Sequence, residues 1–232
     1  MAKSNNRNYK KMVFFDLEYY VPKENRKKVV LSYNPWQIGN IFLGGVFYSF
    51  DSSVNLKKGT PLNQQNKISF WIWNYDNDEC LLTIAIYNYL REIKEVVISE
   101  NSGFAFPVLS GIGISHSDIP VLWELFKKYE LISNETSFEF QNSFRTIDLS
   151  QISIGAFECS LPILYPKTKN ELLKRFSLKT SSENSKSVWD YYESGATKFI
   201  EDRVLNEIEF SIEIYMAIKD VFVNSNEKEF RL

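Results

Sequence analysis

Apolar positions along this chain recur first with a period of two and later with a period near 3.6, so strands lead and helices follow. Met12 to Phe15 is a short apolar run that ends in Asp16-Leu17-Glu18-Tyr19-Tyr20, which predicts a strand over residues 12–20. The segments 40–50 (NIFLGGVFYSF) and 67–75 (KISFWIWNY) are rich in aromatic and branched residues and bounded by Gly, Asn, Asp and Pro. They predict two further strands in an antiparallel meander with the first. Between the first two strands, residues 21–36 carry Pro22, Pro35 and the cluster Arg26, Lys27, Lys28, the signature of a connecting loop.

From Glu79 to Glu95 the period changes. Leu81, Leu82, Ile84, Ala85, Ile86, Tyr89, Leu90 and Ile93 fall at helical spacing, and Asp78 is placed to cap the start. Residues 104–114 (FAFPVLSGIGI) read as a buried strand whose Gly111 and Gly113 permit close backbone approach. A helix from Ile119 to Tyr129 with Pro120 in its first turn follows, then a short strand from Phe144 to Leu149 ending in Asp148. Lys169 to Leu178 reads as a short amphipathic helix, Ser181 to Ser187 as a polar loop, and Lys198 to about Val221 as the last long helix. Strands first, then alternating helices and strands, predict an α/β fold: a mixed sheet, antiparallel meander plus parallel strands, flanked by helices.

Composition agrees with a folded domain. The chain has 232 residues, 44% apolar and 16% aromatic, ample for a sizeable core, and no repeat or interdomain linker interrupts it. Residues 1–11 read as a flexible polar tail and 12–232 as one domain. A formal net charge of -2 argues against polycation-style nucleic-acid binding but leaves room for a locally basic groove. The pairs Lys10/Lys11, Lys57/Lys58 and Lys127/Lys128, with Arg26 to Lys28, are candidates for such a rim or for scattered solvated charge. Cys80 and Cys159 match no metal-ligand spacing, so a reducing, cytoplasmic setting is expected. The apolar run that follows the basic N-terminus, Met12 to Phe15, is too short for a signal-peptide core, and no apolar stretch approaches a membrane span.

The chemistry centres on Asp16 and Glu18. Alternate residues of a strand share a face, so these like charges project side by side, an arrangement that a divalent cation reconciles and that a strand end entering solvent also permits. Asp118, in Gly111-Ile-Gly-Ile-Ser-His-Ser-Asp-Ile-Pro, follows a buried strand at the mouth of a helix, where an N-cap is the ordinary role. On the last helix, Ile200, Val204, Ile208, Ser211 and Tyr215 share one face, and Asp202, Asn206, Glu209 and Glu213 lie opposite. Glu207 flanks the apolar face, within reach of the sheet, whereas Asp202 sits four residues from Lys198 as a surface ion pair would.

Three segments together resemble the DEDD superfamily of 3′-5′ exonucleases, which have a ribonuclease H-like fold. Asp16-Leu17-Glu18 resembles the first motif, an Asp-x-Glu closing the first strand. His116-Ser-Asp118-Ile-Pro-Val-Leu122 resembles the second, and Arg203-Val-Leu-Asn-Glu207-Ile-Glu-Phe-Ser-Ile-Glu-Ile-Tyr215 the third. The third departs from the pattern twice: Glu207 stands where the family has Asp, and Arg203 where it has Tyr or His. The resemblance implies two Mg²⁺ or Mn²⁺ ions, with Asp16 bridging both, Glu18 and Glu207 on the nucleophile side and Asp118 on the leaving-group side. It implies a single-stranded or frayed 3′ end of DNA or RNA as partner. Arg203 stays protonated and cannot serve as the base. Three expectations follow for the site: the metal alone activates water, Arg203 holds the substrate phosphate, or activity is lost and the fold binds nucleic acid or a protein without hydrolysis.

Other residues carry weaker signals. His116, the only histidine, is expected to pack near the site. Asp148 is expected to support the site or to cap a turn, and Trp71, Trp73, Trp189, Tyr191 and Tyr192 to pack or to stack on an unpaired base.

Overall fold

The computed structural model describes residues 11–27, 31–51, 62–101, 103, 105–156, 169–179 and 186–229. Among these residues five strands form one sheet: β1 (Lys11–Tyr20), β2 (Ile41–Asp51), β3 (Lys67–Trp71), β4 (Val108–Gly111) and β5 (Arg145–Asp148). Their order is β3-β2-β1-β4-β5, with β1, β2 and β3 antiparallel and β4 and β5 parallel to β1. This is the mixed, ribonuclease H-like arrangement expected from the sequence. Among the described residues, seven α-helices accompany it: α1 (Glu79–Glu100), α2 (Asp118–Lys128), α3 (Asn134–Asn142), α4 (Leu149–Ala156), α5 (Lys169–Arg175), α6 (Ser187–Glu193) and α7 (Thr197–Glu229).

Both faces of β1 are covered, which is why it carries an almost unbroken apolar run. Phe15 pairs with Phe47 across the β1–β2 ladder, their rings stacked at 5.4 Å, and Phe47 packs edge-on against Tyr89 of α1. Phe14 on the other face packs edge-on against Tyr215 of α7 at 5.6 Å. Asp16 and Glu18 share the parity of Phe14 and therefore face α7, not α1. The end of β1 lies close against its neighbour: a Cβ on Gly45 would fall 2.2 Å from the Asp16 carbonyl oxygen. The β1–β2 register shifts between Glu18 and Tyr19, opposite Gly44, which has φ +109°. A bulge of this kind re-aims the side chains beside it.

Several predicted elements change length. The strand expected over 67–75 ends at Trp71, and Ile72–Asn74 form a 3-10 turn. Asp76 and Asn77 adopt positive φ to swing the chain into α1, so it must leave the sheet early. Trp71 and Trp73 consequently do not alternate in a strand; their rings stack face to face at 5.0 Å. The strand expected over 104–114 is confined to 108–111, since Pro107 cannot donate a ladder bond and Gly113, at φ +74°, turns the chain toward α2. Asp78 caps α1 by accepting from the N–H groups of Cys80 and Leu81, as expected, and the helix runs on to Glu100. Leu81, counted with the apolar face, is 47% exposed.

Helices α3, α4 and α6 were not predicted, and Ser187, assigned to a polar loop, opens α6; residues 181–185 of that loop lie outside the described residues. The expected tail is shortened by one residue, since β1 starts at Lys11, and residues 1–10 lie outside the described residues. No described helix is long and apolar enough to cross a membrane. Cys80 is a free thiol, and Cys159 lies outside the described residues.

Candidate functional site

Three elements converge where β1 ends. β1 supplies Asp16 and Glu18, the first turn of α2 supplies Asp118, and the buried side of α7 supplies Arg203 and Glu207, one turn apart. The phase of α7 follows the sequence: Ile200, Val204, Ile208 and Ser211 are buried, while Asp202, Asn206 and Glu209 are exposed. Asp202 pairs with Lys198 at 2.9 Å on the surface and takes no part in the site.

Asp118 is not the N-cap. Ser117 occupies that position without a side-chain capping bond, and Asp118 is the first helical residue, its carboxylate turned inward. Its Oδ1 accepts from the Tyr19 hydroxyl at 2.9 Å and its Oδ2 from the Ser117 hydroxyl at 2.9 Å. The turn that presents it is tied down by Asp148. Oδ1 of Asp148 accepts from the N–H groups of Gly113 (3.0 Å) and Ser150 (2.9 Å); Oδ2 accepts from the N–H (3.0 Å) and the hydroxyl (2.6 Å) of Ser115. Asp148 thus supports the site by fixing the 113–117 turn.

Glu18 and Glu207 are both buried and share one guanidinium. Arg203 donates from Nη1 to Oε1 of Glu18 and from Nη2 to Oε1 of Glu207, the latter at 3.3 Å. Lys169 of α5 also pairs with Glu207. Asp16 has no comparable partner at one oxygen: its Oδ2 is closed off from solvent without a hydrogen bond. Burial pushes the Asp16 carboxyl well above the usual carboxylate range; the Glu207 and Asp118 carboxylates add to the rise, and Arg203 and Lys169 oppose it. Burial likewise raises Asp118, to about 6, against the lowering effect of its Tyr19 and Ser117 bonds. Burial and the Asp118 charge push the Tyr19 phenol well above its ordinary value, so Tyr19 is a donor and not a base.

Among the described residues, no group of three or more His, Cys, Asp or Glu side chains is gathered closely enough to hold a metal ion. The donor set divides on inspection. Glu18 and Glu207 are neutralised by Arg203 and Lys169, an arrangement that does not suit a metal ion. Asp16 and Asp118 are hard oxygen donors that influence one another electrostatically, and Asp16 Oδ2 is buried without a hydrogen bond, the donor chemistry that a Mg²⁺ or Mn²⁺ ion takes.

The remaining candidates fall away from this centre. The His116 side chain is 65% exposed, with Nδ1 2.9 Å from the Ser115 hydroxyl, because the turn points it outward; it does not pack against the site. Trp189 donates to the Tyr19 carbonyl oxygen at 3.1 Å and lies under the Arg26 guanidinium, while Tyr192 packs on Tyr20 and Tyr191 on Phe199. Trp73 donates to Glu201 at 3.1 Å. Three members of the basic clusters are engaged by carboxylates: Lys127 with Glu124, Lys128 with Glu79, and Arg26 with Glu193. Lys10, Lys28, Lys57 and Lys58 lie outside the described residues.

Sequence reasoning missed Tyr19 and Lys169. Tyr19 adjoins Glu18 and carries a hydroxyl at a strand end, a signal that was available. Lys169 lies 38 residues before Glu207 and nothing local marks it. No protein-family model matches this chain, and no curated protein matches it either.

Proposed function

We propose that this protein is a divalent-cation-dependent 3′-5′ exonuclease of the DEDD type, releasing nucleotides from single-stranded or frayed ends of DNA or RNA. The observation that carries the reading is that Asp16 and Glu18 of the central strand lie near enough to Asp118 of α2 and Glu207 of α7 for the Asp118 and Glu207 charges to act on Asp16 and for Arg203 to join Glu18 to Glu207, in the motif order the sequence suggested. A fold seeking stability alone gains nothing from burying the carboxylates Glu18, Asp118 and Glu207 around the end of one strand, since each costs several kcal/mol to desolvate by order of magnitude. Function is the usual reason for such an arrangement.

When bound, a Mg²⁺ or Mn²⁺ ion supplies charge neutralisation for the phosphodiester oxygens and lowers the pKa of an attached water. The chain's own part is to hold that ion with Asp16 and Asp118, to keep Asp118 oriented through Tyr19 and Ser117, and to hold Glu18 and Glu207 in place through Arg203. Arg203 and Tyr19 both remain protonated, so neither takes a proton from water. Glu18 and Glu207 are the carboxylates left to accept one.

A second reading, a nucleic-acid-binding or protein-interaction module on the same fold, is favoured by one observation: Arg203 and Lys169 already occupy Glu18 and Glu207. End-labelled DNA and RNA oligonucleotides, incubated in Mg²⁺ or Mn²⁺ and resolved to one nucleotide, separate the two. Stepwise shortening from the 3′ end, abolished by Asp16→Asn, is the expected result. Binding of the same oligonucleotides without shortening would establish the module instead.

A further inference from the structure

The four carboxylates do not stand in equivalent surroundings. Arg203, 8% exposed, reaches Glu18 with one nitrogen and Glu207 with the other, and Lys169 adds a second positive charge to Glu207. Asp118 accepts from the neutral hydroxyls of Tyr19 and Ser117, and Asp16 Oδ2 accepts from nothing. Among the described residues, Arg203 and Lys169 form ion pairs with Glu18 and Glu207, which leaves Asp16 and Asp118 as the two carboxyl groups of the centre without an ion pair. One divalent ion would balance these two once both have lost their protons.

A guanidinium keeps its proton at any working pH and holds a planar fork, so Arg203 is a fixed charge and not an adjustable one. Glu207 sits one helical turn from Arg203 on α7, and Glu18 lies across from both on β1, so the fork is anchored from its own helix and from the sheet. A second divalent ion between Glu18 and Glu207 would have to displace the guanidinium from the buried position where it bonds both carboxylates. We infer that the site takes one divalent cation per chain, on Asp16 and Asp118, and that Arg203 is a built-in counter-charge filling the place between Glu18 and Glu207. The inference rests on the reading of this centre as cation-binding.

Titration of the full chain with Mn²⁺ alone, followed by calorimetry and by the loss of the free-ion electron paramagnetic resonance signal, tests it. The expected result is one ion per chain. Asp16→Asn should weaken binding at least tenfold, and Glu18→Gln should change it less than threefold. Arg203→Met, which removes the charge and keeps the bulk, should gain a second, weaker ion. Two ions in the unaltered protein would overturn the inference and leave the exonuclease reading standing. One ion in both the unaltered protein and a folded Arg203→Met would overturn the role of Arg203. Should Arg203→Met not fold by circular dichroism, Glu18→Gln decides, because a tenfold loss there places the ion on Glu18 and overturns the assignment. No ion bound overturns the inference, and no ion together with no cleavage removes the exonuclease reading as well.

Discussion

The Tyr19 hydroxyl donates to Asp118 Oδ1 at 2.9 Å, joining the end of the central strand to the first residue of α2 across 99 residues of sequence. The bond is buried and its acceptor is ionised, which puts it among the stronger hydrogen bonds of a fold. Tyr19→Phe should lower unfolding free energy by about 1.5–3 kcal/mol in urea denaturation. It should also raise the Asp118 carboxyl further, because the bond lowers it. A loss below the error of the measurement would show that this bond does not hold the two elements together.

Titration of Asp118 gives a pH dependence with a definite sign. Burial raises its carboxyl to about 6, from near 4 in an unfolded chain. The folded protein therefore favours the protonated form: its contribution is complete below about pH 4 and is lost as pH rises through about 6. Asp16, raised for the same first reason, acts in the same direction. In cation-free buffer, Asp118→Asn should gain stability relative to the unaltered protein as pH rises from about 4 to about 7, by an amount on the order of 2–3 kcal/mol. The difference between the two proteins, read from urea denaturation across that range, isolates this carboxyl; a flat difference contradicts the assignment.

Removal of Arg203 uncovers two buried carboxylates at once. Arg203→Ala should cost about 3–5 kcal/mol, the usual penalty for stripping one partner from a buried ion pair. Glu18→Gln in the same protein should return part of that loss. A double-mutant cycle between the two positions should show coupling of at least about 1 kcal/mol. Additive effects would mean that the two side chains do not depend on one another.

Asp148 is expected to act at a distance from the reacting groups. Asp148→Ala leaves the N–H groups of Gly113, Ser115 and Ser150 without their acceptor, and should cost about 3 kcal/mol, about 1 kcal/mol for each of these part-buried donors. Amide hydrogen exchange should accelerate at Gly113 and Ser115 before it does in β1. Unchanged exchange there would remove Asp148 from the support of the 113–117 turn.

Much of this was legible in the chain, and the rest was hidden for identifiable reasons. The apolar run before Asp16, the Asp78 cap and the 3.6-residue stripe of α7 are local signals, and the structure follows them. Helix α3 buries only Phe140 and α6 only Val188, so neither shows a face to read. The strand after Lys67 stops at Trp71 because of a reversal at Asp76 and Asn77, an effect of the following turn and not of β propensity. At the site, motif order brought out Asp16, Glu18, Asp118 and Glu207, whereas the pairing of Lys169 with Glu207 is a tertiary contact with no local trace. Asp118 shows how local rules mislead: its position relative to the helix fits a cap, and burial turns it into something else.

The clamp of Arg203 on Glu18 spans 185 residues, and that distance is also an interval of time. At a synthesis rate of about 5–20 residues per second, roughly 10–40 s pass between the emergence of the first strand and that of its counter-charge. Through that interval β1 cannot be buried with Glu18 ionised and paired as in the finished protein. The central strand is made first and made comfortable late, so the sheet reaches its final pairing only after α7 has been made.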